Sequence, residues 1–177
     1  IRFPEKKSKI VVGGAGWLIK RKRFDLYLSL AKMLLNSDFD FDFEFQIAGN
    51  GPEMNSLKQL ASTYGISKKI KWLGVCKDME KFYNSIDIFV FFTDADAGGL
   101  VLLEAMANNV PVFASCKYHG FYELIKKSRA CYIQNDHDIE SICKNIQTLL
   151  SSNSILQQQI DLGRDFINSY FTEEVHL

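Results

Sequence analysis

Apolar residues recur along this chain in two alternating rhythms. Short runs of β-branched and aromatic residues, such as Ile10-Val11-Val12, Ile86-Asp87-Ile88-Phe89-Val90-Phe91-Phe92 and Val110-Pro111-Val112-Phe113-Ala114, read as buried strands. Between them the spacing changes to three and four. Phe24, Tyr27, Leu28, Ala31, Leu34 and Leu35 share one helical face, and Met54, Leu57, Leu60, Ala61 and Tyr64 share another. Residues 39–49 alternate apolar with polar at period two, which predicts a strand over their later part, with the early acids as its solvated approach. Further strands are expected at 69–74 and 130–133. Helices are expected near 78–85 and 121–127, and over 136–150 and 154–170. Strands alternating with helices in this way predict an α/β protein, a Rossmann-like three-layer α/β/α sandwich with a parallel sheet of about six strands.

In such sheets ligands gather at the carboxyl ends of the strands, near the point where strand order reverses. Two glycine turns would lie on that edge: Gly13-Gly14-Ala15-Gly16 after the first strand and Gly98-Gly99 after the fourth. They therefore belong to one candidate site. The second turn stands in the stretch Thr93-Asp94-Ala95-Asp96-Ala97-Gly98-Gly99-Leu100-Val101-Leu102-Leu103-Glu104-Ala105-Met106-Ala107, which reads as strand, acidic turn, paired glycines and helix. The first N–H groups of a helix have no partner within it, and with the helix dipole they make a seat for an anion such as phosphate. Asp96 and Glu104 bracket that seat. Beside an anion an acid is a poor phosphate ligand and a good acceptor for sugar hydroxyls.

Charge modifies this picture locally. Lys and Arg total 21, as do Asp and Glu, so the net charge is zero and whole-surface binding to nucleic acid is not indicated. Yet residues 1–23 hold eight Lys or Arg and one acid, Glu5. Four of these, Lys20 to Arg23, would oppose the dipole at the start of the helix that follows, at about 0.3–1 kcal/mol per exposed group. A solvated basic face is the plain explanation; an anionic ligand at this edge is the better one. A nicotinamide site is not indicated, because Gly14-x-Gly16 lacks the third glycine and the second strand closes on Gly49-Asn50 without an acid.

Asp94-Ala95-Asp96 spells a D-x-D metal signature, but of a different topology, and no metal is expected. Cys76, Cys116, Cys131 and Cys143 show no paired spacing and read as reduced thiols of a cytoplasmic protein, packed in its core. His137 and His176 lack partners in sequence and read as surface residues. Residues 1–7 look like the end of a linker and 8–177 like one domain. The first residue is Ile, which suggests a piece of a longer chain.

The segment from Asp96 to Ala107 resembles the E-x7-E signature of family 4, or group 1, retaining glycosyltransferases, written E-G-F-G-L-x-x-x-E-A-M-A, with the first acid shortened to Asp. Gly16-Trp17-Leu18-Ile19-Lys20-Arg21-Lys22-Arg23 resembles that family's G-R-L-x-x-x-K-G, matching at Gly16, Leu18 and Lys22 and departing at Trp17 and Arg23. Lys71-Trp72-Leu73-Gly74-Val75 is similar to F-L-G-x-V, Gly49-Asn50-Gly51-Pro52 to G-x-G-P, and His119-Gly120-Phe121-Tyr122-Glu123 more distantly to G-G-I-P-E.

The resemblance implies the C-terminal, donor-binding half of a two-domain GT-B enzyme. It would transfer a hexose, with retention, from a UDP-, GDP- or ADP-sugar to a saccharide or lipid-linked acceptor, without a further cofactor. Asp96 would face the sugar, Glu104 would hold the ribose, and Lys22 would contact the diphosphate, with Arg21 or Arg23 replacing what Trp17 lacks. Gly14, Gly16, Gly98, Gly99, Leu100 and Val101 would approach the diphosphate, while Gly74 and Val75 would meet the base. An absent N-terminal half would bring the acceptor and any peripheral membrane association. Two alternatives are a sugar-nucleotide epimerase of the same architecture and a non-catalytic scaffolding domain.

Overall fold

A computed structural model describes residues 9–96, 99–116, 121–134 and 136–174, apart from the side chains of 121–124 and 170–174. The chain opens with β1 (Lys9–Ala15), a 3-10 turn (Lys20–Lys22) and α1 (Phe24–Leu35). Then follow β2 (Asp42–Ala48), α2 (Met54–Thr63), β3 (Ile70–Gly74) and α3 (Met79–Asn84). The central pair is β4 (Ile88–Thr93) and α4 (Leu100–Ala107), followed by β5 (Val112–Cys116) and α5 (Phe121–Ser128). The chain finishes with β6 (Tyr132–Gln134), α6 (Ile139–Leu150) and α7 (Asn153–Glu174). All five strand pairings are parallel, in the order β3-β2-β1-β4-β5-β6. The expected Rossmann-like sandwich is therefore present, and its strand order reverses between β1 and β4.

Alternation along β4 divides the core in two. Ile88, Val90 and Phe92 join the apolar residues of α1, α2 and α6, while Phe89 and Phe91 join those of α3, α4 and α5. All six β4 residues are buried, as a central parallel strand requires. Helix α7 serves both halves, with Leu156 and Ile160 in the first and Phe166 in the second. Asp87 joins β1 to β4: its carboxylate accepts from the Val11 N–H at 2.8 Å, and its own N–H donates to the Val11 carbonyl at 2.8 Å. A buried carboxylate is tolerated where its charge meets donors of this kind.

Three local expectations change. Lys20 to Lys22 form a separate turn ahead of α1, so they do not sit in that helix; Arg23, left-handed at φ 43° and ψ 42°, separates the two. Of the four thiols, Cys116 and Cys131 are buried, but Cys76 and Cys143 are half-exposed. Burial pushes the Cys131 thiol well above its usual value. His137 is not a surface residue, because its side chain is 6 % exposed and engaged at both ring nitrogens.

The loops after β1 and β2 touch along their backbones. Gly16 N–H donates to the Ala48 carbonyl and Leu18 N–H to the Asn50 carbonyl, both at 2.9 Å. Gly49 lies at the closest approach, with φ +149°, and a Cβ there would stand 1.9 Å from the Gly16 carbonyl oxygen. Gly49→Ala is expected to force these loops apart and to destabilise the fold by on the order of 3 kcal/mol. Urea denaturation of the two proteins measures this.

Candidate active site

Loops at the carboxyl edge of the sheet enclose a cleft of about 690 Å³. Ala15, Gly16 and Trp17 line it after β1, residues 48–51 after β2, Val75, Cys76 and Met79 after β3, and Val101 and Glu104 from α4. The volume suits a ligand of nucleotide size. Its walls are largely apolar, and among the described residues Glu104 is the one charged group in the lining.

Glu104 is held from below. Its Oε2 accepts a hydrogen bond from the Tyr83 hydroxyl at 2.8 Å, and that hydroxyl also lies 3.3 Å from the Val101 carbonyl. Tyr83 is 1 % exposed and packs edge-on against Phe82 and Phe89. Burial, reinforced by the hydrogen bond and charge of Glu104, pushes the phenol far above its usual value. It stays protonated and remains a donor. With one carboxylate oxygen fixed, the rest of Glu104, exposed on α4, is aimed at the cleft.

A second group forms at the mouth of α4. Lys22 and Asp96 make a salt bridge, with side chains only 14 % and 16 % exposed, and the Lys22 ammonium lies 4.8 Å from the Phe91 ring centroid. The other Asp96 oxygen accepts from the Gly99 N–H at 2.9 Å, just ahead of α4. Gly99 is left-handed at φ 56° and precedes the helix. The basic turn is also tied to the end of β4: Asp94 N–H donates to the Arg21 carbonyl at 2.8 Å, and Thr93 Oγ1 lies 3.2 Å from the same oxygen. Arg23 is committed to Asp25 at 2.9 and 3.1 Å and to Asp94 at 3.3 Å. Lys20 and Arg21 are exposed.

Most of the expected residues therefore meet. Gly16, Val75, Val101 and Glu104 line the cleft, while Lys22, Asp96 and Gly99 gather beside it, and Leu100 is 68 % exposed at the opening of α4. Gly74, left-handed at φ 67°, accepts the Gly49 N–H on its carbonyl at 2.7 Å and leads into Val75, which is 75 % exposed. Gly14 is a correction. It lies within β1 beneath Tyr27, where a Cβ would meet the ring at 2.8 Å, so it packs the core and the cleft begins one residue later. Gly98 and His119 fall outside the described residues, as does His176. Asp94 and Asp96 turn to different partners, the first to Arg23 and His137, the second to Lys22 and Gly99. Tyr83 was not anticipated, nor were the partners of His137. Each of the two residues meets its carboxylate partner across more than twenty residues of chain, which no local spacing reveals.

Fold and cleft together define a doubly wound α/β domain with an open cleft at its switch point. The family model for glycosyl transferases group 1 matches residues 2–166, and the chain belongs to that family. A lipopolysaccharide core biosynthesis glycosyltransferase, LpsE of Rhizobium meliloti, is 24% identical over 164 residues, covering 93% of this chain and 46% of its own length. An uncharacterized glycosyltransferase of Haemophilus influenzae is 25% identical over 160 residues, with 90% and 45% covered. The chain thus spans less than half the length of either. Among solved structures, the C-terminal domain of the group 1 protein LpcC from Francisella tularensis superposes with a TM-score of 0.78 at 22% identity, covering 92% of this chain and 86% of that one. S. aureus TarM, solved with UDP, fondaparinux and α-GlcNAc-glycerol, gives a TM-score of 0.80 at 21% identity, covering 93% and 33%.

The cysteines report on this geometry. Iodoacetamide applied to the native protein, followed by peptide mapping, is expected to modify Cys76 in the cleft roughly tenfold or more faster than the buried, high-pKa Cys131. Equal rates would mean that the cleft is closed.

Proposed function

We propose that this chain is the donor-binding half of a retaining hexosyltransferase, and that its cleft holds a nucleoside-diphosphate sugar. The observation that carries this is the placing of Glu104 and the Lys22–Asp96 pair on either side of the opening of α4, at the switch point of the sheet. Glu104, oriented by Tyr83, accepts from the ribose hydroxyls. The base lies against the apolar wall that includes Val75 and Met79. The diphosphate sits at the first turn of α4, where Lys22 and the backbone N–H groups near Gly99 and Leu100 meet its charge. Because TarM was solved with UDP, a uridine donor is the first to test.

The ion pair gives each partner a role before the ligand arrives. Lys22 and Asp96 hold each other in place; when the diphosphate binds, the ammonium turns to a phosphate oxygen and Asp96 is released toward a sugar hydroxyl. The bond from the anomeric carbon to the diphosphate oxygen then breaks. An acceptor hydroxyl forms its new bond on the same face, and its proton passes to the leaving diphosphate. Charge growing on that leaving group is what Lys22 and the start of α4 stabilise, and losing one such donor costs roughly 10²–10³ in rate. The acceptor is a saccharide or a lipid-linked saccharide, bound mainly by a further domain, so this half alone binds the donor and turns it over slowly.

Titration calorimetry with UDP, GDP and ADP tests the binding. One nucleotide is expected to bind, and Lys22→Ala and Glu104→Ala are each expected to weaken it by about tenfold, near the value of a lost charged hydrogen bond. Silence with all three at millimolar concentration would remove the assignment.

A further inference from the structure

The contacts of His137 reach toward the same turn from the loop that follows β6. This residue lies in the loop between β6 and α6, with a left-handed backbone at φ 58°. Its backbone N–H donates to Ser115 Oγ at 2.9 Å, and its ring Nδ1 lies 2.7 Å from that same oxygen. The Asp94 carboxylate can only accept, so Nε2, 3.2 Å from Asp94 Oδ1, is the donor of that pair, and Nδ1 is then placed to accept the Ser115 hydroxyl hydrogen. The trio has the composition of a hydrolytic triad but not its use. Ser115 is fully buried in β5 and has no access to a substrate.

Asp94 passes the constraint on. Its Oδ1 also receives the Arg23 Nη1 at 3.3 Å, and its N–H holds the Arg21 carbonyl at 2.8 Å. Arg23 in turn closes the basic turn, its N–H donating to the Lys20 carbonyl at 3.1 Å. Lys22 lies between these two tied residues. Asp94 is about one-third exposed, so water competes for its carboxylate; the nearly buried imidazole holds the inner side of that carboxylate where water does not compete. The Phe92 ring, edge-on to the imidazole with centroids 6.2 Å apart, limits the ring's rotation.

We propose that His137 is a positioning residue for donor binding: by donating from Nε2 to Asp94 it fixes the turn that presents Lys22 to the diphosphate. The proposal rests on Lys22 being the diphosphate contact, and its test separates the two ideas. His137→Gln places an amide N–H where Nε2 was and can still reach Asp94. His137→Asn keeps the bond to Ser115 and suits the left-handed backbone, but is too short for Asp94.

The measurement is UDP affinity by calorimetry on wild type, His137→Gln, His137→Asn and Lys22→Ala, with thermal midpoints recorded alongside. The expected result is that His137→Asn weakens UDP binding by about tenfold while His137→Gln stays within about twofold of wild type, a range typical of a residue acting through its neighbours. The two midpoints should fall by similar amounts. If His137→Asn binds as wild type does while Lys22→Ala does not, His137 only anchors its loop and the proposal is overturned. If Lys22→Ala also binds normally, the donor-site assignment fails first and the positioning role falls with it. Nitrogen-15 NMR of the imidazole gives a ligand-free readout: the Nδ1–H tautomer in the neutral ring would overturn the proposal by itself.

Discussion

Strands β1 and β4 lie side by side although the chain leaves β1 for β2 and returns to β4 from β3, and the site depends on that pairing. Crossovers on either side of it carry the loops apart, which leaves a cleft at the carboxyl edge. The register is short, Val12 with Ile88 and Gly13 with Phe89. Two features secure it. Asp87 satisfies both backbone groups of Val11, and Gly13 lets Ile86 pack where a Cβ would stand only 2.4 Å from its Cδ1. Without that approach β4 would sit further from β1, and the turn bearing Lys22 would lose its hold on Thr93 and Asp94.

Electrostatics then shape the edge. The basic turn does not simply lie in solvent: Lys22 pairs with Asp96, and Arg23 with Asp25 and Asp94. Ion pairs of this partly exposed kind are worth about 0–1 kcal/mol, because desolvation and screening offset most of the attraction. They serve better as holders of geometry than as sources of stability. A doubly charged diphosphate at the start of α4 would outcompete a single carboxylate for Lys22. The basic turn sits directly ahead of α1, with Arg23 at its N-cap, and the neighbouring carboxylates of Asp25, Asp94 and Asp96 offset the charge it places at that end of the dipole.

Much of this was legible in the residues. Short continuous runs of β-branched and aromatic residues located most of the strands, because a parallel strand buried on both faces admits little else. The spacing from Asp96 to Glu104, with glycine at the mouth of the helix, pointed to a candidate site because an anion seat flanked by acids can also accept hydroxyl hydrogens. Gly14 was misread for a physical reason: in a row of small residues, sequence cannot show where a strand ends and its turn begins, and only the Tyr27 ring above Gly14 places it in the core. His137 was misread because a histidine without neighbours of its own kind looks solvent-borne, while its partners come from β5 (Ser115) and from the end of β4 (Asp94).

By itself the sequence determined the layer order, the parallel sheet and the edge that would carry a ligand, since these follow from local periodicity and from the handedness of the chain. Tertiary structure alone decided that Tyr83 holds Glu104, that Lys22 meets Asp96, and that Arg23 reaches Asp94. Those pairs join residues 21 to 74 positions apart. Hydrogen bonds and ion pairs act over a few ångströms in space, whereas sequence records only distance along the chain.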